Sequence, residues 1–256
     1  MIASFDNAAE KYDTNFTHTE IGTLQRHLVY ENVQKYLQNT KIVLEINCGT
    51  GEDAIWLANQ NLTVTATDIS EKMVSKAQSK TNLENLNFKV LDINNLNQET
   101  NSYDFLFSNF GGLNCLTNTE MQTFFQSTSK ILSEKGKICL VIMPKNTIWE
   151  QFYFVLKFDF KNAFRRKKEV AFANVDGEKV ATYYYNPKEI VHLCQATFEI
   201  LEVKPIGFFI PPSYLEPFFK NKKMLLKGLN FLEKRIKNWS FLSKYADHYI
   251  ITLQKK

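Results

Sequence analysis

Between residues 40 and 143 the chain alternates short apolar runs with segments of helical period. The runs "KIVLEI", "LTVTAT", "LNFKVL", "YDFLFS" and "KICLVIM" each predict a strand, and the spacers between them predict crossover helices. That order is the pattern of a parallel sheet with helices on its faces. Ahead of it, "FDNAAEKYDTNF" and "TLQRHLVYENVQKYLQ" predict two helices; the second sets Leu24, Leu28 and Val33 on one face with Tyr36 and Leu37. After Pro144 the pattern changes. An aromatic-rich stretch, "IWEQFYFVLKFDFKNAFRRKK", leads into "EVAFANVDGEKVATYYY", whose alternating runs joined through Asp176-Gly177 predict a hairpin. A short helix from about Pro187, the strand "FEILEVKPIG", a second insert and the strand "YADHYIITLQ" follow, so that an antiparallel hairpin closes the sheet.

With 256 residues, 44% of them hydrophobic, the chain suffices for a full core, and no internal repeat or linker divides it. One domain over 1–256 is expected: cap helices in 1–39, the core in 40–143, and lid insertions at 144–186 and 208–243. Cys48, Cys115, Cys139 and Cys194 lie far apart, without a CxxC pair, which argues against a disulfide framework or a structural zinc and for a reducing, cytoplasmic setting. No run approaches the roughly 20 apolar residues of a membrane span, and "MIASFDNAAEKYD" has no signal-peptide pattern. The net charge of +4 does not call for nucleic acid. Aromatic residues, 14% of the chain, concentrate in the two inserts beside a basic run, "RRKK" at 165–168, which either is a solvated face or meets an acidic partner.

The candidate chemistry lies where the first strand ends, in "VLEINCGTGEDA". Its "GTGEDA" satisfies GxGxxA, and Asp68 follows at the distance of a ribose-binding acid. Charge argues against a dinucleotide. Glu45 before the turn and Glu52 and Asp53 after it place three carboxylates where a pyrophosphate would sit on helix N–H groups. Glu52 and Asp53 also complement the helix dipole, but Glu45 does not. A ligand carrying an ammonium and a sulfonium suits that field, and S-adenosylmethionine carries both.

The stretch "ExNCGTG" at 45–51 resembles the first motif, acid-x-G-x-G-x-G, of class I S-adenosylmethionine-dependent methyltransferases, and "TATDIS" and "KVLDIN" resemble the acids after the second and third strands. The resemblance implies an α/β fold: a Rossmann-like, doubly wound, seven-stranded sheet with a C-terminal antiparallel hairpin, N-terminal cap helices and aromatic lid insertions. It implies that Glu45, Asn47, Cys48, Gly49 and Gly51 surround the methionine half of the cofactor, that Asp68 holds the ribose hydroxyls, and that Asp92 meets the adenine amino group. Ile69, Met73 and Ile93 would border the adenine, and Asn109 and Phe110 in "FSNFGGLN" would face the sulfonium. Tyr12 and Arg26 would reach the methionine carboxylate. Asn47 stands where the family has glycine. A position of that kind needs positive φ, which asparagine tolerates. Gly111-Gly112 either admits a close approach or is simply a loop.

Methyl transfer is an in-line displacement that needs alignment, and a base only when the nucleophile starts protonated. His18, His27, His192 and His248 are the conventional base candidates, none of them singled out. The expected acceptor is small or lipid-like, acyl or aromatic, methylated at O or C, with "RRKK" steering an anionic group, a carrier protein or a membrane surface. The rival readings are a noncatalytic cofactor-binding or scaffold protein and a nicotinamide-dependent dehydrogenase using Tyr184 and Lys188, though Pro187 interrupts the helix such a pair requires.

Overall fold

The computed structural model describes residues 6–175 and 177–256. Phe5, which opens the first predicted helix, and Asp176 in the predicted hairpin turn lie outside the described residues. The expected strands form as β1 (Ile42–Ile46), β2 (Thr63–Asp68), β3 (Leu86–Val90), β4 (Tyr103–Ser108), β5 (Leu132–Ile142), β8 (Phe198–Ile206) and β9 (His248–Lys255); β6 (Ala171–Val175) and β7 (Glu178–Thr182) make a separate hairpin. The sheet has seven strands in the order β3-β2-β1-β4-β5-β9-β8, and β9 runs antiparallel to both neighbours. Strand order reverses between β1 and β4, the switch point at which open α/β sheets bind ligands.

Alternation along the central strands divides the core. Val43, Phe105, Phe107, Cys139 and Val141 face one side, under α1 (Glu20–Val33) and α2 (Glu52–Ala58). Leu44, Leu106, Ile138, Leu140 and Ile142 face the other, under α4 (Asn118–Ile131) and α7 (Pro187–Cys194). Strands covered on both faces read as continuous apolar runs, which is why they stood out in the sequence. Local signals fix the helix starts. Ser70 accepts from Met73 N–H at the head of α3 (Glu71–Gln78), and Thr117 with Glu120 forms a capping box on α4.

Three expectations need correction. The first N-terminal helix is a turn followed by one π-helical turn over Asp13–Thr17, and Asp13 bonds outward to Thr50 in the turn before α2 and to Lys80 just after α3. The basic run is split: its two arginines turn inward, while Lys167 and Lys168 are exposed. Arg166 is buried and bonds Glu150 at 2.9 Å and Asp247 at 3.2 Å, while Arg165 takes the other oxygen of Glu150 at 2.7 Å. Two buried carboxylates claim guanidinium groups that the sequence left either to a solvated face or to an acidic partner. The insert aromatics divide between two jobs. Trp149 meets Phe219 and Tyr153 meets Tyr214 at centroid distances of 6.1 and 5.7 Å, tying α5 (Ile148–Leu156) to the segment that includes α8 (Glu216–Phe219). Phe152, Phe158, Phe160 and Phe218 are instead exposed to solvent.

The second insert is anchored by a carboxylate. Glu233 on α9 (Lys223–Ile236) is buried and accepts N–H donors from Gly207, Phe208, Phe209 and Ile210 at 2.6–3.1 Å. This fixes the turn after β8 beside His248, the first residue of β9.

Candidate active site

The turn after β1 passes through positive φ at Asn47 (56°), Gly49 (52°) and Gly51 (79°). Gly51 is packed from beneath: a Cβ there would lie 2.8 Å from the Phe88 ring and from Ala77. The left-handed conformation expected of Asn47 is observed. Its side chain is accommodated by a second glycine, since a Cβ on Gly112 would stand 2.5–2.7 Å from Asn47 side-chain atoms. Neither a close approach of cofactor or substrate nor a plain loop, the alternatives for Gly111-Gly112, is decided by this contact. Gly112 provides a close approach, made to the turn itself.

Asp68, at the end of β2, receives one N–H on each carboxylate oxygen, from Gly49 and from Ser70, both at 2.9 Å. Burial pushes its acidity toward higher pH, and these N–H bonds only partly offset the push. Each oxygen retains a lone pair for a further donor. Leu91 N–H bonds the Asp68 carbonyl at 2.9 Å, which sets Asp92 at the neighbouring strand end, where its side chain caps residues 93–98. Ile93 is half-buried beside it and Ile69 is 50% exposed. Met73 is buried, packed with Ala8 and Ala9 of the N-terminal segment and with Val175 at the hairpin tip.

On the other side of the turn, Tyr12, Arg26, Asn47, Cys48, Gly49, Asn109 and Phe110 border a hollow of about 30 Å³, with Thr17, Thr50, Glu52 and Asp53. Sequence reasoning gave Asp53 to the helix dipole. Here it is buried and receives three donors: Arg26 in an ion pair, the Tyr30 hydroxyl at 2.7 Å and the Asn109 amide at 3.1 Å. It therefore ties α1 to the loop after β4. The Arg26 guanidinium also lies 5.0 Å from the Phe110 ring centre and 6.0 Å from that of Phe16. Burial opposes the charge on Arg26, but Asp53 outweighs it and keeps Arg26 protonated.

Glu45, buried within β1, is the least compensated group. Burial first, then the nearby Asp53 and Asp68, push its carboxyl well above the ordinary range. Three buried polar atoms here have no partner among the described residues: the Oε2 of Glu45, the Nε of Arg26 and the Oγ1 of Thr17. Burial and Glu45 push the Cys48 thiol well up, which removes it as a nucleophile, and burial raises the Tyr12 phenol to about 12. Among the histidines, His18, His27 and His192 are exposed; His248 is buried, edge-on to the Phe110 ring at 5.6 Å, with Nδ1 3.2 Å from Asp247. The sequence named His248 among four candidates without singling it out, because its contact with Phe110 joins segments far apart in the chain.

The N-terminal segment closes over this region. Asp13 accepts from Thr50 at 2.6 Å and from Lys80 at 2.9 Å, Ser70 donates to Asp6, and Asn7 bonds Glu178 of the hairpin at 2.7 Å.

Comparison with known proteins accords with this geometry. Residues 43–136 match the family model described as a methyltransferase domain. The chain is 27% identical to an uncharacterised protein of Methanocaldococcus jannaschii, over 91% of this chain and 90% of that protein. It is 28% identical to a malonyl-[acyl-carrier protein] O-methyltransferase of Bacillus anthracis, over 75% of this chain and 66% of the relative. Its fold superposes on that of an S-adenosylmethionine-dependent methyltransferase from Methanosarcina mazei with a TM-score of 0.60, at 20% identity, over 88% of this chain and 97% of the other. The chain belongs to the class I S-adenosylmethionine-dependent methyltransferases.

The Asn47–Gly112 contact has a measurable consequence. Gly112→Ala is expected to lower stability by about 1–3 kcal/mol through overpacking. Chemical denaturation should show the double variant Asn47→Gly/Gly112→Ala recovering most of that loss, whereas additive losses would mean that the methyl group clashes elsewhere.

Proposed function

We propose that the turn and its surrounding carboxylates bind S-adenosylmethionine and that the enzyme methylates an oxygen or carbon of a small or lipid-like acceptor. One observation carries the first part. Two of the buried atoms without a partner, the donor Arg26 Nε and the acceptor Glu45 Oε2, match the carboxylate and the ammonium of an α-amino acid end. Glu45 and Asp53 share one guanidinium there and Asp68 adds a further nearby carboxylate, so a cationic ligand relieves the field that a pyrophosphate would worsen. Asp68, held by its two N–H bonds, is aligned to accept ribose hydroxyls. When bound, the cofactor supplies a methyl group on a sulfonium, whose bond to sulfur breaks as the nucleophile's bond to carbon forms. The chain's own residues orient the partners and exclude water. The hollow of about 30 Å³ holds about one water, so residues 6–17 and the hairpin tip move outward for entry.

For the acceptor, similarity to a malonyl-[acyl-carrier protein] O-methyltransferase supports oxygen. His248 is the proposed proton acceptor. It packs on Phe110, which follows β4, and its Nδ1 lies 3.2 Å from the buried carboxylate of Asp247. A carboxylate acceptor needs no base, whereas a hydroxyl does.

Three outcomes test this reading. Asp68→Ala should weaken S-adenosylhomocysteine binding by roughly one to two orders of magnitude with the fold intact, since bonds to a charged group are worth about 1.5–3 kcal/mol; calorimetry showing an unchanged affinity would place the cofactor elsewhere. Because Glu45 has a raised pKa in the free protein and a cation favours its ionised form, binding releases a proton. Affinity for S-adenosylmethionine should therefore rise with pH until Glu45 is fully ionised and then level off, and Glu45→Gln should flatten that rise. His248→Gln should lower kcat about 10²-fold or more for hydroxyl acceptors and leave carboxylate acceptors near normal; equal losses on both would reject His248 as the base.

A further inference from the structure

The second insert carries a surface that the methyl-transfer chemistry does not use. Inward, α9 buries Leu226, Ile236 and the Glu233 carboxylate, with Leu229 partly buried. Outward, Met224 is 80% exposed and Phe231 57%, and Leu225 and Leu232 are exposed beside them. At about 100° per residue, Phe231, Met224, Gly228, Leu232 and Leu225 fall on one continuous arc, and Lys223, Lys234 and Lys227 fall on the arc next to it. Arg235 lies within the apolar arc, with its guanidinium stacked 4.8 Å from the Phe231 ring centre. The helix thus has two apolar faces, one spent on the core and one turned to solvent.

Charge gives the outer face its direction. Residues 217–244 hold eight lysines and arginines and one acid, Glu233, which is buried under backbone donors. The whole chain has a net charge of only +4, so the remainder is net acidic and the excess positive charge is concentrated here. Lys223 and Lys234 pair with Glu20 and Glu31 of α1, exposed bonds that exchange readily for others. Beyond the helix, Trp239 and Phe241 stack on each other at 5.9 Å and stand exposed beside Lys237.

We propose that the outer face of α9 lies on an anionic lipid bilayer, with Met224, Leu225, Phe231 and Leu232 at the acyl boundary and Lys223, Lys227 and Lys234 on headgroup phosphates. An apolar stripe edged with lysine is the pattern of an interfacial helix. No helix among the described residues is long and apolar enough to cross a membrane, so the contact is peripheral. A second copy of the chain is disfavoured as the occupant, because self-association would bring the lysine arcs together. An acidic protein answers the lysines but gives no reason for large apolar side chains on a convex helix. Lipid answers both. The surface stands apart from the cofactor residues, so this proposal holds or fails independently of the acceptor's identity.

The test is flotation of the full chain with vesicles of phosphatidylcholine alone and of phosphatidylcholine mixed with phosphatidylglycerol. Binding to the mixed vesicles and little to the neutral ones is expected. Met224→Asp with Phe231→Asp should cut that binding by at least about tenfold, with melting temperature and S-adenosylhomocysteine affinity unchanged because both side chains lie outside the core. Lys227→Glu with Lys234→Glu should abolish the preference for anionic lipid. No flotation with anionic vesicles, or equal flotation of the Met224/Phe231 double variant, overturns the proposal. So does a concentration-dependent dimer that those substitutions dissolve, or capture by an acidic carrier protein without vesicle binding.

Discussion

The constraint on which the site depends is the burial of negative charge at the end of β1. Glu45 and Asp53 are nearly solvent-free, Asp68 is half-buried, and Arg26 is the cation paired directly with any of them. Isolated buried charge is expensive, so each carboxylate is met by whatever donors the fold supplies: two backbone N–H groups for Asp68, and guanidinium, phenol and amide for Asp53. Those bonds in turn fix α1 against α2 and the loop after β4 against both. Glu45 Oε2 receives no hydrogen bond among the described residues, and burial with Asp53 and Asp68 pushes its carboxyl well above the ordinary range, against the pull of Arg26. A site left short of positive charge is prepared for a cation.

A second buried charge cluster orders the lid. Glu150 on α5 accepts from Arg165 and Arg166, and Arg166 continues to Asp247 just before β9, with the Tyr184 ring 4.9 Å from its guanidinium. Buried ion pairs contribute little net stability, because desolvation offsets most of the Coulomb gain. Their effect is geometric. Glu150 comes from the first insert and Asp247 from the link between the second insert and β9, so the cluster ties the first insert to the chain that leaves the second.

The sheet and the glycine turn were legible because their signals are local: strands covered on both faces read as apolar runs, and a left-handed turn demands glycine or asparagine at fixed positions. Even the left-handed Asn47 followed from its residue type. What was not legible depends on contacts between distant segments. "RRKK" looks like a solvated cluster until Glu150 and Asp247, remote in sequence, arrive beside Arg166. Asp53 looks like a dipole complement until Tyr30 and Asn109 converge on it. The aromatic inserts gave no reliable orientation, because a stretch in which most positions are apolar has no polar face to mark its outside, and α5 and α9 each expose side chains that composition alone would place within.

In the proposed binding mode, cofactor and acceptor approach from different directions. The N-terminal segment, latched through Asp13 to Thr50 and Lys80, and the hairpin tip at Val175 cover the side that holds Asp68 and Met73. These bonds are few and near the surface, a pattern that opens at low cost. His248 and Phe110 lie toward β5 and β8, beneath inserts whose buried charges and ring contacts hold them together. The cover over the nucleoside side is therefore the part suited to open in each turnover, while the aromatic lid serves as a fixed wall. A fixed wall with apolar side chains on its outer surface is also what a bilayer-facing element requires, since a segment that refolded at each cycle would lose its lipid contacts each time the cofactor was exchanged.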